Sequence, residues 1–233
     1  SYILFRLNIS SHKSNKMKTV IPKLVIFDCD GVVVDSVRAH SAVMSANFAK
    51  YGLDLTPDKC TTKLSAGKMA FIGEAAKKLG ADLPDHWLDE IYAEIYARLE
   101  QGVDLIDGVE DVVQQLKARN IPLCLASNGS KAKMEIMLRP SGMLDYFQDN
   151  VFSAHDIGHW KPEPDLFFHA ANTMGVTYKD CVIVEDSQTG VLGAQRAGIK
   201  CFGYAADTDP EELSAHDAII FKSMSELPSL LGL

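Results

Sequence analysis

The chain has 233 residues, 47% of them hydrophobic and 23% charged, and a formal net charge of −8. That length holds one large domain or a core domain plus a small one, with the balance of an ordinary soluble globular protein. The acid excess argues against a general nucleic-acid binder or a protein held on anionic membranes, while one local site for a small anion remains open.

Residues 1–19 lack the basic start and long apolar segment of a signal peptide, and Met17 precedes the first strong strand. They are expected to be an N-terminal extension outside the fold. The first strand is predicted over Lys23–Phe27, inside VIFDCDGVVVDS. It delivers Asp28 and Asp30 one residue apart, followed by Gly31. Two carboxylates at the end of a hydrophobic run repel each other and resist desolvation, so the pair asks for a partner.

From Ser36 to about Asp104 the pattern predicts helices and no strand. Ser36 is expected to cap a helix with Val37, Met44, Phe48 and Tyr51 on one side, ended by Gly52. A second stacks Met69, Ile72, Ala76 and Leu79; a third, capped by Asp85, carries Leu88, Ile91, Ile95 and Leu99. This segment, 36–104, reads as an all-helical cap domain inserted into a core made of 20–35 and 105–233. Its hinges are expected near Val34–Ser36 and Gly102–Asp107.

Strand–helix alternation then resumes. Strands are predicted at Pro122–Ala126, Val151–Ser153, Cys181–Val184, Lys200–Tyr204 and Ala218–Phe221. The strongest are continuous apolar runs, which suits strands buried on both faces of a parallel sheet. Helices are expected over Val109–Arg119, after Ser130, over Asp165–Met174 and over Gly190–Ala197. The fold class is therefore α/β, a doubly wound parallel sheet with an inserted helical domain.

Ligands of such sheets bind at the carboxyl ends of the strands. There the sequence places Asp28 and Asp30, then Ser127, Asn128, Gly129 and Ser130, then Glu185 and Asp186, with Lys161 in WKPEPD upstream of a helix. Crowded carboxylates need a cation, and oxygen ligands with room for water and phosphate suit Mg²⁺. The helix start at Ser130 suits an anion, and Lys161 supplies a point charge. Each motif alone also reads as a turn or a helix cap; together, in this order, they describe phosphoryl transfer.

The motifs FDCDG, ASNG, WKPEPD and VIVEDS, covering about residues 20–230, resemble those of the haloacid dehalogenase-like superfamily. The resemblance is to its β-phosphoglucomutase-like phosphatase branch. It implies that Asp28 attacks phosphorus and that Asp30 serves as acid, then base. Mg²⁺ would be held by Asp28, the Asp30 backbone carbonyl, Asp186 and Glu185. Ser127, Asn128 and Lys161 would grip phosphate; His40, Gly67 and Lys68 of the cap would meet the substrate. The implied activity is hydrolysis of a small phosphorylated metabolite, a sugar or sugar-acid phosphate such as 6-phosphogluconate. The alternative is a phosphomutase sharing the same site, and a non-catalytic metabolite sensor is the reading from another class. The protein is expected to be a monomer that binds neither nucleic acid nor membrane. Five cysteines without a CxxC pair read as reduced buried thiols in a cytoplasmic protein.

Overall fold

The computed structural model describes residues 21–64 and 69–233. The expectations for residues 1–19, Gly67 and Lys68 fall wholly or mainly outside them. The sheet comprises β1 (Leu24–Phe27), β2 (Leu123–Ser127), β3 (Val151–Ser153), β4 (Cys181–Glu185), β5 (Lys200–Tyr204) and β6 (Ile219–Phe221). All are parallel, in the order β3-β2-β1-β4-β5-β6. The chain runs outward from β1 through β2 to β3, then returns to the other side of β1 to start β4. That reversal opens a crevice at the carboxyl end of β1.

The helices are α1 (Ser36–Lys50), α2 (Pro57–Leu64), α3 (Met69–Lys78), α4 (Trp87–Glu100), α5 (Val109–Ala118) and α6 (Lys131–Leu138). They continue with α7 (Leu144–Phe147), α8 (Ala154–Ile157), α9 (Asp165–Thr173), α10 (Gln188–Ala197), α11 (Pro210–Ser214) and α12 (Leu227–Leu231). Successive strand side chains alternate between faces. Leu24, Ile26, Cys124, Ala126, Ile183 and Cys201 pack with α9 and α10. Val25, Phe27, Leu123, Leu125, Val182 and Val184 join the other core. That second core continues into α1 to α4 through Phe48, Ile72, Trp87, Ile91 and Leu99. Both faces of β1, β2 and β4 are buried, which is why those strands read as unbroken apolar runs.

Helices α1 to α4 form one insertion between β1 and α5. The two chain crossings lie side by side: Val34 bridges Leu105, and Asp35 N–H donates to the Asp104 carbonyl at 2.8 Å. Several local expectations are corrected. Asp35, not Ser36, caps α1, accepting from Arg38 N–H at 3.3 Å. Ser36 is the first helical residue, and its hydroxyl has a stronger claimant described below. Val37 and Leu79 are exposed because the faces of α1 and α3 that meet the core are set by Met44 with Phe48 and by Ile72 with Ala76. Asp85 does not cap α4; the turn is closed by Trp87 N–H donating to the Pro84 carbonyl at 3.0 Å. A buried amide anchors the insertion: Asn47 accepts from the Trp87 indole at 2.7 Å and donates to Glu90 and Glu94 at 3.1 Å each.

Candidate active site

The carboxyl end of β1 carries the chain into the crevice, and Asp28 N–H donates to the Val184 carbonyl of β4 at 3.0 Å. Asp28 thereby sits beside Glu185, the last residue of β4. Carboxylate oxygens of Asp28, Glu185 and Asp186 lie within 4.8 Å of one another. Asp28 and Glu185 are buried, Glu185 completely. Lys161 enters between them. Its ammonium, on a side chain only 3% exposed, donates to Asp28 Oδ1 at 2.7 Å and also to Glu185.

Burial and the Glu185 charge push the Asp28 carboxyl up to about 7, against the opposing pull of Lys161. Burial, Asp28 and Glu185 raise Asp186 as well. Lys161 moves upward because its two carboxylate partners outweigh the cost of burying it. Oxygen donors this close, with two of them resisting ionisation, are a set that a divalent cation fits. Gly31 makes the approach feasible: its φ is +82°, and a Cβ there would stand 2.0 Å from Asp186 Oδ2. Gly190 does the same for Glu185, where a Cβ would fall 1.9 Å from the carboxyl carbon.

Asp30 is treated differently. Its Oδ1 accepts from Lys133 Nζ at 2.9 Å and from Ser36 Oγ at 2.6 Å. Burial alone would raise its pKa; the Lys133 charge and these two hydrogen bonds outweigh burial and hold it below the usual carboxylate value. Four carboxyl groups face two ammonium groups here, an excess of acidic groups that a divalent cation would offset.

The β2–α6 loop supplies the other wall. Ser127 is buried, and its hydroxyl accepts from Gly129 N–H at 3.0 Å. Ser130 caps α6, accepting from Lys133 N–H at 3.2 Å, so the expected cap and its free helix start are present. The Asn128 side chain braces the backbone of Lys161. Its amide donates to the Lys161 carbonyl at 3.2 Å and accepts from Lys161 N–H at 2.8 Å, which fixes the loop that aims Lys161.

His40 lies on α1 near this cluster. Its Nε2 is buried and has no hydrogen-bond partner among the described residues. Burial, then the Lys133 charge, push it down to about 4, so the ring is neutral. The crevice continues beside Asp186 and Gly31 into a cleft of about 570 Å³ that reaches Arg38 and Thr61 of the insertion.

Sequence reasoning missed Lys133 and the Ser36 hydroxyl. One signal was present: α6 has no acid in its first turn but carries Lys131 and Lys133 there. Cations at a helix N-terminus oppose the helix dipole, so one that persists there needs a local anion.

A carboxylate pair at the end of one strand, acids at the end of the strand beside it, a buried lysine between them and an anion-ready helix start are the working parts of a phosphoric monoester hydrolase, and this protein is a phosphatase. Comparison with known proteins gives its family: residues 22–198 match the haloacid dehalogenase-like hydrolases, and the chain belongs to that family. It is 32% identical over 207 residues to the 6-phosphogluconate phosphatase of Escherichia coli (strain K12), covering 88% of this chain and 93% of that protein. It is 31% identical over 181 residues to the fructose-1-phosphate phosphatase of the same organism, covering 75% and 92%. A haloacid dehalogenase-like protein of unknown function from Agrobacterium tumefaciens superposes with a TM-score of 0.79 at 30% identity, over 90% of this chain and 97% of that one.

Proposed function

We propose that this protein is a Mg²⁺-dependent phosphatase that hydrolyses a small phosphorylated metabolite through an aspartyl phosphate on Asp28. The observation that carries the reading is the buried Lys161 ammonium shared by Asp28 and Glu185 at the carboxyl end of the central strands. A buried cation placed on a carboxylate at a ligand crevice both orients that carboxylate and offers charge to an incoming phosphoryl group.

Asp28 is the nucleophile, buried at the carboxyl end of β1 and bonded to Lys161. Asp28, Asp186, Glu185 and the Asp30 backbone carbonyl would hold Mg²⁺, which when bound supplies positive charge for the carboxylates and the phosphoryl oxygens. Lys161 and Ser127 grip the phosphoryl group, and Asn128 keeps Lys161 in place. Asp30 passes a proton to the leaving alcohol and takes one from the water that releases phosphate. Helices α1 to α4 act as a cap over the crevice, presenting His40, and Gly67 and Lys68 in the segment between α2 and α3, to the substrate; cap closure excludes bulk water. The two relatives act, by name, on a sugar-acid phosphate and a sugar phosphate, which supports that class of substrate here, 6-phosphogluconate included. The five cysteines are all buried and unpaired, which supports a cytoplasmic setting.

The test is phosphate release from a panel of sugar and sugar-acid phosphates, with Mg²⁺ and with chelator. Metal-dependent release by the wild type and none by Asp28→Asn is the expected result. Isomerised sugar phosphate without release would turn the reading to a mutase; binding without turnover would turn it to a sensor.

A further inference from the structure

Lys133 is a second site cation that the phosphate-gripping machinery does not use. Its side chain is 20% exposed, on the first turn of α6. It sits where the helix dipole disfavours it, and the contact that compensates is the one to Asp30. Lys133 and Ser36 donate to the same oxygen, Oδ1, and they come from opposite parts of the chain. Lys133 follows β2, 103 residues from Asp30; Ser36 opens the helical insertion, 6 residues away. Held from both sides, the carboxylate cannot rotate without losing a charge-assisted hydrogen bond.

The other oxygen, Oδ2, accepts no hydrogen bond among the described residues. It faces the β2–α6 loop: a Cβ built on Gly129 would lie 3.7 Å from Oδ2 and 3.4 Å from the Ser127 hydroxyl. The Asp30 carboxylate also stands apart from the Asp28, Glu185 and Asp186 trio that gathers for a cation. It has its own cation and one uncommitted oxygen turned toward the phosphoryl site.

We propose that Lys133 is a positioning residue which, with Ser36, fixes the Asp30 carboxylate so that Oδ2 takes the proton of the water that breaks the aspartyl phosphate. The step rests on the phosphatase reading. Water oxygen bonds to phosphorus, the bond from phosphorus to the Asp28 oxygen breaks with its electron pair returning to Asp28, and the water proton passes to Asp30.

The test uses p-nitrophenyl phosphate with Mg²⁺, because nitrophenolate leaves without protonation and the second half-reaction then governs kcat. Lys133→Met is expected to lower kcat about 100-fold, the scale of a lost base contribution. KM should fall with it, and a burst of about one nitrophenolate per active site should precede the slow phase. Lys133→Arg should restore most of kcat, and Ser36→Ala should show the same burst with a smaller loss. Thermal midpoints of all variants separate these effects from unfolding. An unchanged kcat, or a loss in both Lys133→Met and Ser36→Ala without a burst, overturns the assignment. Wild-type protein that releases no nitrophenolate and no phosphate from the metabolite panel would remove the phosphatase reading itself, and the proposal with it.

Discussion

Replacing Lys161 by Met tests whether the site is held together by a buried charge balance. The methionine nearly fills the space but leaves Asp28 and Glu185 facing each other without the ammonium that now bonds both. Removing one partner of a buried pair costs about 3–5 kcal/mol, and here a single cation serves two carboxylates on side chains 11% and 0% exposed, so the upper half applies. For a chain of this length that is a fall of roughly 8–20 °C in thermal midpoint. The loss depends on pH in a definite direction. Asp28 already stands at about 7 with Lys161 in place, above its ordinary 3.8, and removing the cation raises it further. A carboxyl raised on folding has its stability intact below the unfolded value and loses it as pH climbs through the folded one. Urea titrations of metal-free wild type and variant at pH 5.5 and pH 8 should therefore give the larger gap at pH 8, where the uncovered carboxylates must ionise. Saturating Mg²⁺ at pH 8 should narrow it. A gap equal at both pH values, or one below about 1 kcal/mol, would refute the balance described here.

Gly31→Ala should weaken divalent-metal binding about 10-fold or more, read by calorimetric titration, because the new Cβ would displace an Asp186 oxygen now 2.0 Å from its position and φ is +82°. Unchanged affinity would refute the close approach. Chelator should lower the wild-type thermal midpoint more at pH 8 than at pH 6. Asp28 and Asp186 are both raised on folding, so the metal-free protein loses stability as pH rises through about 7, and bound cation offsets that loss. Equal chelator effects at the two pH values would show that these carboxyls are not under strain without metal.

Much of the site was legible because its parts are local. An apolar strand ending in Asp28, a strand ending in Glu185 and Asp186, and a strand ending in Ser127 each announce themselves within a few residues. Burial on both faces removes the alternation that would mark a half-exposed strand, so the parallel sheet is written into composition. Caps were legible less reliably. Asp35 and Ser36 are adjacent and both suit an N-cap; the choice fell to Asp35 because Asp30 takes the Ser36 hydroxyl at 2.6 Å. The insertion's buried faces were partly misread at Val37, which is exposed and lines the cleft beside Gly31 and Asp186, and at Leu79, which is exposed just past the end of α3.

By itself the sequence determined the strands, the helical character of the insertion, the order of the motifs and the residue types at each strand end, all consequences of near-neighbour backbone preference and apolar period. Only the tertiary structure decided which charges meet. Lys161 reaches Asp28 across 133 residues and Lys133 reaches Asp30 across 103, and the Asn128 amide bonds the Lys161 backbone. Such pairings follow from the strand order β3-β2-β1-β4-β5-β6, which brings three strand ends to one crevice. Nothing in a lysine's sequence neighbours states which distant carboxylate will share its burial; packing fixes that, because an unpaired buried charge costs more than any local preference can offset.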